Sequence, residues 1–252
     1  MEKRIVMEVK GLSKHFGGVK AVDEVDFKLY KGEIVAIVGD NGAGKSTLIK
    51  CISGVYERDG GDIFVNGKNV NITDPNSAKQ YGIETVYQDH GLITDFDAAS
   101  NLFLGRERYE ENILGKFFKF VDFKYMKKEA EELLKRIGIT INEINAPVSD
   151  LSGGQRQGVV VGRAVYWGGE IIIFDEPTNN LGVKEQRNVL ELIRQLRDQY
   201  DVSIIIISHN LYHVFELVDR IVVLRNGRKI GERLKNRTTQ NEIVSMITGV
   251  TT

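Results

Sequence analysis

The order of apolar and polar residues along the chain predicts buried strands that alternate with amphipathic helices. Three runs are almost entirely apolar, as strands covered on both faces are: 34–38, 171–174 and 202–207. Between the last two runs, four apolar residues follow the spacing of one helix face: Val189, Leu192, Ile193 and Leu196. Strands that alternate with helices favour an α/β fold with a mainly parallel sheet and right-handed crossovers.

Weaker patterns predict further strands, turns and helices. Residues 6–9 and 25–29 alternate apolar and polar positions, as half-buried strands do. The dipeptides Asn66-Gly67 and Asn226-Gly227 follow apolar runs and predict hairpin turns. Residues 125–137 are rich in good helix formers, and three of them supply an apolar stripe: Leu133, Leu134 and Ile137.

These patterns predict a single domain over residues 1–252 with an insertion. Residues 1–88 and 156–232 form the α/β core in this division, and residues 89–155 form a helical subdomain. The polar tail 233–252 is predicted to contain one short helix. No internal repeat or low-complexity linker interrupts the pattern.

Composition and charge narrow the function classes. The formal net charge is −1, so a chain-wide basic field is absent and a nucleic-acid partner is not expected. The single cysteine, Cys51, excludes an intrachain disulfide and a cysteine-cluster metal site, and is predicted to be a small buried residue. No run approaches the ~18 apolar residues of a membrane helix, and no signal-peptide core follows Met1. Composition alone therefore indicates a soluble cytoplasmic protein.

The 26 glycines include a complete phosphate-binding motif. The segment Gly39-Asp40-Asn41-Gly42-Ala43-Gly44-Lys45-Ser46 matches G-x-x-x-x-G-K-[ST], between a predicted buried strand and a predicted helix. Glycines let consecutive backbone N–H groups point inward as an anion nest, and the helix adds the positive end of its dipole. Lys45 can then place a cation on the β- and γ-phosphates, and the Ser46 hydroxyl can ligate Mg²⁺.

Two carboxylates follow the apolar run 171–174. Ligands of open α/β sheets gather at the carboxyl ends of the strands, where Asp175 and Glu176 stand. Asp175 is a candidate Mg²⁺ ligand, and Glu176 is a candidate for polarising an attacking water. Without the phosphate loop upstream, the same pair would be read as a cap for the next helix.

A third motif carries a family resemblance. Leu151-Ser152-Gly153-Gly154-Gln155 is a second glycine-bearing loop that opens a predicted helix, which Ser152 can cap. After the phosphate loop and before the Asp-Glu pair, this pentapeptide resembles the signature of the nucleotide-binding subunits of ATP-binding cassette (ABC) transporters. The resemblance covers about residues 6–231.

The resemblance implies a fold and a set of ligands. The fold is an α/β P-loop NTPase (RecA-like) core with an antiparallel β subdomain and an inserted α-helical subdomain. The ligands are ATP and Mg²⁺. Residues that the resemblance implies for binding ATP are Phe16, Gly39, Asp40, Asn41, Gly42, Ala43, Gly44, Lys45, Ser46, Thr47, Gln88, Ser152, Gly153, Gly154 and Gln155.

Individual roles also come from the resemblance. Phe16 matches the aromatic residue that stacks on adenine, and Gln88 matches a glutamine that touches Mg²⁺ and senses the membrane partner. The implied Mg²⁺ contacts are Ser46, Gln88 and Asp175. His209 matches the switch histidine that contacts the γ-phosphate, so the implied catalytic residues are Glu176 and His209.

The family works as a pair of cassettes, a homodimer or two related chains, on ATP binding. The resemblance implies that ATP on the phosphate loop of one cassette is closed over by Ser152–Gln155 of the other. One position departs from the family pattern, because Gly182 stands where an interface Asp is usual. This departure puts in doubt the coupling between the two ATP sites, while Glu176 and His209 are retained.

Several stretches resemble monosaccharide importers of the ribose, xylose and fructose type: 82–89, 101–107, 181–185, and 208–210 with 214–216. The expected function is an ATPase subunit on the cytoplasmic face of the cell membrane. Its partners would be transmembrane permease subunits and, indirectly, a solute-binding protein. The alternatives are an importer of amino acids, lipids or nucleosides, an exporter subunit, and a soluble cassette protein that acts in DNA repair or on ribosomes.

Overall fold

A computed structural model describes residues 4–87, 91–111, 117–179 and 181–250. The chain divides into two compact units. The first unit comprises Met1–Gln88, Gly169–Pro177 and Leu196–Thr252, and the second comprises Asp89–Gly168 and Thr178–Gln195.

Ten strands are present in the described ranges. In chain order they are β1 (Ile5–Phe16), β2 (Val19–Tyr30), β3 (Ile34–Val38), β4 (Gly60–Val65), β5 (Lys68–Val70), β6 (Ile83–Val86), β7 (Ile171–Asp175), β8 (Ser203–Ile207), β9 (Arg220–Arg225) and β10 (Arg228–Leu234). The α-helices are α1 (Lys45–Ile52), α2 (Pro75–Gln80), α3 (Ala98–Leu102), α4 (Phe123–Arg136), α5 (Gly153–Tyr166), α6 (Val183–Tyr200), α7 (Leu211–Leu217) and α8 (Gln240–Thr248).

A six-stranded sheet forms the centre of the first unit. Its strand order is β10-β9-β3-β8-β7-β6, with parallel pairing from β9 to β6 and an antiparallel edge strand β10. The residues of β3 and the first four residues of β7 are buried, as the apolar runs predict. The α/β prediction and the hairpin at Asn226-Gly227 are confirmed. Parallel pairing puts the carboxyl ends of β3, β7 and β8 at one edge of this sheet.

A four-stranded antiparallel sheet, in the order β2-β1-β4-β5, is the second sheet of this unit. The turn Asn66-Gly67 joins β4 to β5, as predicted. The alternation predicted for residues 6–9 is broken at its start, since Val6 and Met7 are both buried. The cause is a register shift in the pairing of β1 with β2 between Ile5 and Met7.

The core of the first unit includes helix α1. Cys51, in this helix, is buried, which confirms its predicted place as a small interior residue. Burial raises the pKa of its thiol to about 11, so the thiol stays protonated and unreactive at neutral pH.

The second unit is helical. The stripe Leu133, Leu134 and Ile137 is buried, and a Cβ on Gly162 of α5 would lie 3.4 to 3.5 Å from these side chains. A Cβ there would make ordinary van der Waals contact with the stripe, so α5 packs against α4 at this position. The compact unit therefore runs through α5, whereas the sequence division ends the insertion at residue 155. That division stays a prediction.

The tail contains helix α8, as predicted, with Ile243 buried. In α6, the predicted face Val189, Leu192, Ile193 and Leu196 is buried. Among the described residues, no helix combines the length and the apolar character that crossing a bilayer requires.

A buried ion pair connects strands of the first unit. The Arg220 guanidinium donates two hydrogen bonds of 2.8 Å to the carboxylate of Glu33 and a third, of 2.9 Å, to Glu232. It also donates to the carbonyl oxygen of Lys28 at 2.6 Å, which ties β9 of one sheet to β2 of the other. The side chains of Arg220 and Glu33 are almost fully buried.

We predict that Arg220→Met destabilises the protein strongly, because it leaves the Glu33 carboxylate buried without its partner. Breaking such a pair costs about 3–5 kcal/mol. Arg233→Met is the matched control, since it removes an exposed pair with Glu242 that is worth about 1 kcal/mol or less. Urea unfolding of both variants measures the difference, and equal midpoints would contradict the assignment.

Candidate functional site

The loop between β3 and α1 is held tightly against its surroundings. A Cβ on Gly39 would collide with the carbonyl oxygen of Leu224, and one on Gly44 would collide with that of Ala21. Gly44 has φ +99° and is the N-cap of α1, which begins at Lys45. These positions therefore need glycine, and the loop presents backbone N–H groups at the start of a helix, where an anion is stabilised.

Lys45 is the first residue of α1, and its side chain turns back into the loop. Its ammonium donates to the carbonyl oxygens of Gly39 and Asp40, both at 2.9 Å. Burial lowers the pKa of this buried ammonium, against the opposing effect of the nearby Glu176, Asp40 and Asp175 carboxylates. An ammonium has three donors, so Lys45 can keep both bonds and donate to a phosphate. Ser46 is exposed and Thr47 half-buried in the same helical turn.

Two carboxylates end strand β7. Burial, and secondarily the charge of Glu176, raise the pKa of the Asp175 carboxyl. Glu176 has φ +52°, a conformation that a non-glycine residue adopts rarely, and its N–H donates to the carbonyl oxygen of Ile207 at 3.0 Å. Strain of this kind persists only where surrounding contacts fix the residue, and it clusters at functional sites.

We expect Asp175→Asn to raise the melting temperature of the nucleotide-free chain. The amide removes a desolvated charge that stands beside a second carboxylate. A gain of about 1 kcal/mol would appear as a shift of about 2–4 °C in a chain of this size. Differential scanning calorimetry without Mg²⁺ measures it, and a lowered melting temperature would contradict the electrostatic account.

The sheet brings the two predicted catalytic residues together. Asp175 of β7 is paired with Ile207 of β8, so Glu176 and His209 follow neighbouring strand ends. His209 Nδ1 lies 2.9 Å from a carboxylate oxygen of Glu176. The side chain of Glu176 is 16% exposed and that of His209 is 63% exposed. This contact directs Nδ1 toward Glu176 and leaves Nε2, on the other side of the ring, for another partner.

The aromatic residue predicted to stack on adenine ends β1. The Phe16 ring packs edge-on against Tyr56, with centroids 5.3 Å apart, and the Lys14 ammonium lies 5.5 Å from its centroid. The ring is 45% exposed, so one face can receive a planar group. Gln88 lies outside the described residues.

The second glycine loop begins helix α5 in the second unit. Ser152 and Gln155 form a capping box, in which the N–H of Gln155 donates to the Ser152 hydroxyl at 3.3 Å and the N–H of Ser152 donates to the Gln155 side chain at 3.0 Å. The Gln155 amide also donates to the carbonyl oxygen of Thr140 at 2.8 Å. A Cβ on Gly153 would lie 2.8 Å from a methyl group of Leu181. The structure thus places residues 152–155 in a different unit from the phosphate loop and the two catalytic candidates.

Sequence reasoning missed Glu185. Its carboxylate accepts the N–H of Gly182 at 2.7 Å, just before α6, and its side chain lies 3.7 Å from where a Cβ of Gly154 would stand. A Cβ on Gly182 would lie 2.5 Å from the same carboxylate. Glycine at position 182 therefore makes room for a capping carboxylate. The spacing of a cap and a Glu three residues later was the available signal.

Known proteins resemble this chain over nearly its whole length. The ABC transporter family matches residues 22–179. The chain is 46% identical over 250 residues to the fructose import ATP-binding protein of Rhizobium meliloti, covering 99% of this chain and 96% of that protein. It is 45% identical to the xylose/arabinose import ATP-binding protein of Sulfolobus acidocaldarius, covering 96% of this chain and 94% of that protein. Against the ribose import ATP-binding protein of Caldanaerobacter subterraneus, at 39% identity, it spans 48% of that protein's length.

Solved structures agree with the fold. A nucleotide-free ATP-binding cassette from an ABC transporter superimposes with a TM-score of 0.80 at 26% identity, covering 96% of this chain and 98% of that chain. An ATP-binding cassette in its ADP conformation superimposes with a TM-score of 0.79 at 26% identity, covering 97% of this chain and 95% of that chain. The predicted P-loop NTPase fold is confirmed, and the chain belongs to the ABC transporter family as one of its ATPases.

Proposed function

We propose that ATP binds along the phosphate loop, residues 39–47, with adenine against Phe16. The β- and γ-phosphates would accept hydrogen bonds from the loop N–H groups and from Lys45, whose ammonium is already held in the loop. The exposed face of Phe16 would take the adenine ring by stacking.

Mg²⁺ fits the residues beside this loop. In the described ranges, no three His, Cys, Asp or Glu side chains are grouped to hold a metal by themselves. This suits Mg²⁺, which takes one or two protein oxygens together with water and substrate phosphate. Ser46 and Asp175, with Gln88, would hold it. Burial, and secondarily the charge of Glu176, raise the pKa of Asp175, and a bound cation would favour its charged form. When bound, the ion supplies neutralisation of phosphate charge.

Glu176 would accept the proton of the attacking water, and His209 would position the γ-phosphate. His209 would reach the γ-phosphate through Nε2 while its Nδ1 lies beside Glu176. The 2.9 Å contact between Glu176 and His209 is the observation that carries this proposal, because it brings a base and a γ-phosphate contact together at the strand ends.

Two cassettes would complete each ATP site. Ser152–Gln155 would close on the ATP held by the phosphate loop of a second copy or of a related cassette. The capping box fixes Ser152 at the N-terminus of α5, where the helix dipole favours a phosphate.

We predict that Ser152→Arg leaves ATP binding by one chain intact but blocks pairing. A long cation replaces a small hydroxyl at the surface that would meet the partner's nucleotide. Light scattering with Mg²⁺ and ATP, in a Glu176→Gln background that stops hydrolysis, measures the dimer. Ser149→Arg, a nearby exposed serine, is the control. An ATP-dependent dimer that survives in Glu176→Gln/Ser152→Arg would contradict the closure.

The work of this ATPase would be to power import of a monosaccharide. Two relatives that match nearly the whole chain are named for import of fructose and of xylose or arabinose. The chain would act on the cytoplasmic face of the membrane, bound to transmembrane permease subunits that receive the sugar from a solute-binding protein. Uptake assays in a strain lacking this gene, against a panel of sugars, amino acids and nucleosides, test the substrate class.

A further inference from the structure

Four exposed phenylalanines cluster just before and at the start of helix α4. We name them the aromatic patch: Phe117, Phe118, Phe120 and Phe123. Their exposed fractions are 80%, 59%, 53% and 55% respectively. Phenylalanine is among the residue types most often buried, and a contiguous exposed apolar patch marks a surface that contacts something else. None of these residues belongs to the proposed nucleotide site or to the catalytic pair.

The patch is an ordered feature of the backbone. The N–H of Glu110 donates to the carbonyl oxygen of Phe120, and the N–H of Asp122 donates to that of Arg108, both at 2.8 Å. The rings also touch one another: Phe117 and Phe118 meet edge-on at 5.0 Å between centroids, and Phe118 stacks on Phe120 at 5.7 Å. The rings of Phe117, Phe118 and Phe120 therefore form one continuous apolar surface next to these two hydrogen bonds.

Lysines alternate with the phenylalanines in this part of the sequence. Residues 117–128 carry four lysines and one acidic residue, Asp122. Asp122 is the N-cap of α4, so its carboxylate is engaged by the N–H of Tyr125 at 2.9 Å. In the sequence, Lys119 lies between Phe118 and Phe120, and its φ is +55°. The side chains of Lys119 and Lys124 are both exposed. Lys127 and Lys128 are paired with Asp97 and Glu132, so Lys119 and Lys124 supply the positive charge beside the rings.

We propose that the aromatic patch, with Lys119 and Lys124, docks on the anionic headgroups of the lipid bilayer. Phenylalanine rings enter the boundary between headgroups and acyl chains, while lysines remain at the charged surface. A protein pocket suits this pattern less well, because Lys119 would be drawn in with Phe118 and Phe120 and would lose its hydration. At a bilayer its long stem lets the ammonium reach the headgroups. The inference rests on the proposed function only in that an importer ATPase works beside a membrane.

Sedimentation of the full chain with lipid vesicles tests the proposal. The chain should bind vesicles of equal parts phosphatidylglycerol and phosphatidylcholine, and bind pure phosphatidylcholine weakly. Binding should fall with added salt, since salt screens the surface charge. Lys119→Glu/Lys124→Glu should weaken binding by about fivefold or more for each lysine charge removed. Lys31→Glu/Lys68→Glu, which changes exposed lysines of the first unit, should bind like the wild type.

Replacing the rings separates insertion from simple charge attraction. Phe117→Ser/Phe118→Ser/Phe120→Ser should lose vesicle binding but keep the ATP hydrolysis rate of the unmodified chain in solution. Tyr212→Ser, at a 70% exposed aromatic residue of α7, is the matched control and should keep both. In Phe118→Trp, added anionic vesicles should shift the tryptophan emission to shorter wavelength relative to the wild type, which has only Trp167.

Each outcome decides the proposal. Equal binding of the wild type to both kinds of vesicle, retained binding in the triple serine variant, or an unshifted Phe118→Trp emission would overturn it. Loss of permease co-purification in the triple variant, without vesicle binding by the wild type, would overturn it in favour of a protein contact. Failure of ATP hydrolysis in the wild type would count against the proposed function, and the vesicle assays do not depend on it.

Discussion

Lys45→Ala should abolish measurable ATP binding. The substitution removes the ammonium in the phosphate loop. In the wild type this ammonium donates hydrogen bonds of 2.9 Å to two carbonyl oxygens of the loop. A charge-assisted hydrogen bond contributes about 1.5–3 kcal/mol, and an ammonium can give more than one to adjacent phosphates. We therefore expect an affinity loss of about a hundredfold or more, measured by isothermal titration calorimetry with Mg²⁺ and ATP.

Two controls make the Lys45 result specific. Lys68→Ala removes an exposed lysine of β5 and should bind ATP like the wild type. Because Lys45 also bonds Gly39 and Asp40, circular dichroism and thermal melting must show that the variant is folded. A folded Lys45→Ala chain with unchanged ATP affinity would remove Lys45 from the phosphate site.

Glu176→Gln should stop ATP hydrolysis while ATP binding remains. Glutamine has nearly the same shape and can remain beside His209, but its amide cannot take a proton from water. General-base catalysis contributes about 10²–10⁴-fold, so the turnover number should fall by that factor. Phosphate release under single-turnover conditions measures the chemical step directly.

Glu170→Gln is the matched control for this variant. Glu170 immediately precedes β7 and Glu176 immediately follows it, so the two glutamates stand at opposite ends of one strand. The Glu170 carboxylate accepts a hydrogen bond from Asn66 at 3.0 Å, which glutamine can replace. Hydrolysis should stay near the wild-type rate in Glu170→Gln. Equal rates in Glu176→Gln and wild type would exclude Glu176 as the base.

The central sheet, and the edge where the carboxyl ends of β3, β7 and β8 lie, could be predicted from the sequence for a physical reason. Strands covered on both faces are apolar throughout, so β3, β7 and β8 are visible as uninterrupted runs. Parallel pairing then brings the residues that follow each run to one edge. The proximity of Glu176 and His209 could be expected from that rule, although the 2.9 Å contact between Nδ1 and the carboxylate could not.

Other features depend on contacts between residues that are distant in the chain. The shift that buries both Val6 and Met7 arises from pairing with β2 and has no signal in residues 6–9 themselves. The packing of α5 against the α4 stripe at Gly162 is a contact of the same kind. Sequence periodicity reports apolar faces and not which two of them meet.

The Glu185 carboxylate lies beside Gly182, the position at which the family pattern has an interface Asp. Gly182 was singled out as the odd residue, but a single position does not reveal what fills its space. In the structure, Glu185 caps that backbone N–H from one turn ahead and lies beside Gly154 of the second glycine loop. Gly182 followed three residues later by Glu185 has the spacing of a capped helix start.

Sugar uptake by a strain that lacks this chain tests the central claim most directly. The strain would carry either the wild-type chain or Glu176→Gln, and uptake of labelled monosaccharides would be measured across a panel. The account predicts that uptake of one or a few related monosaccharides is lost on deletion, restored by the wild type and not restored by Glu176→Gln. Monosaccharide uptake that is unchanged by the deletion, or fully restored by Glu176→Gln, would contradict it.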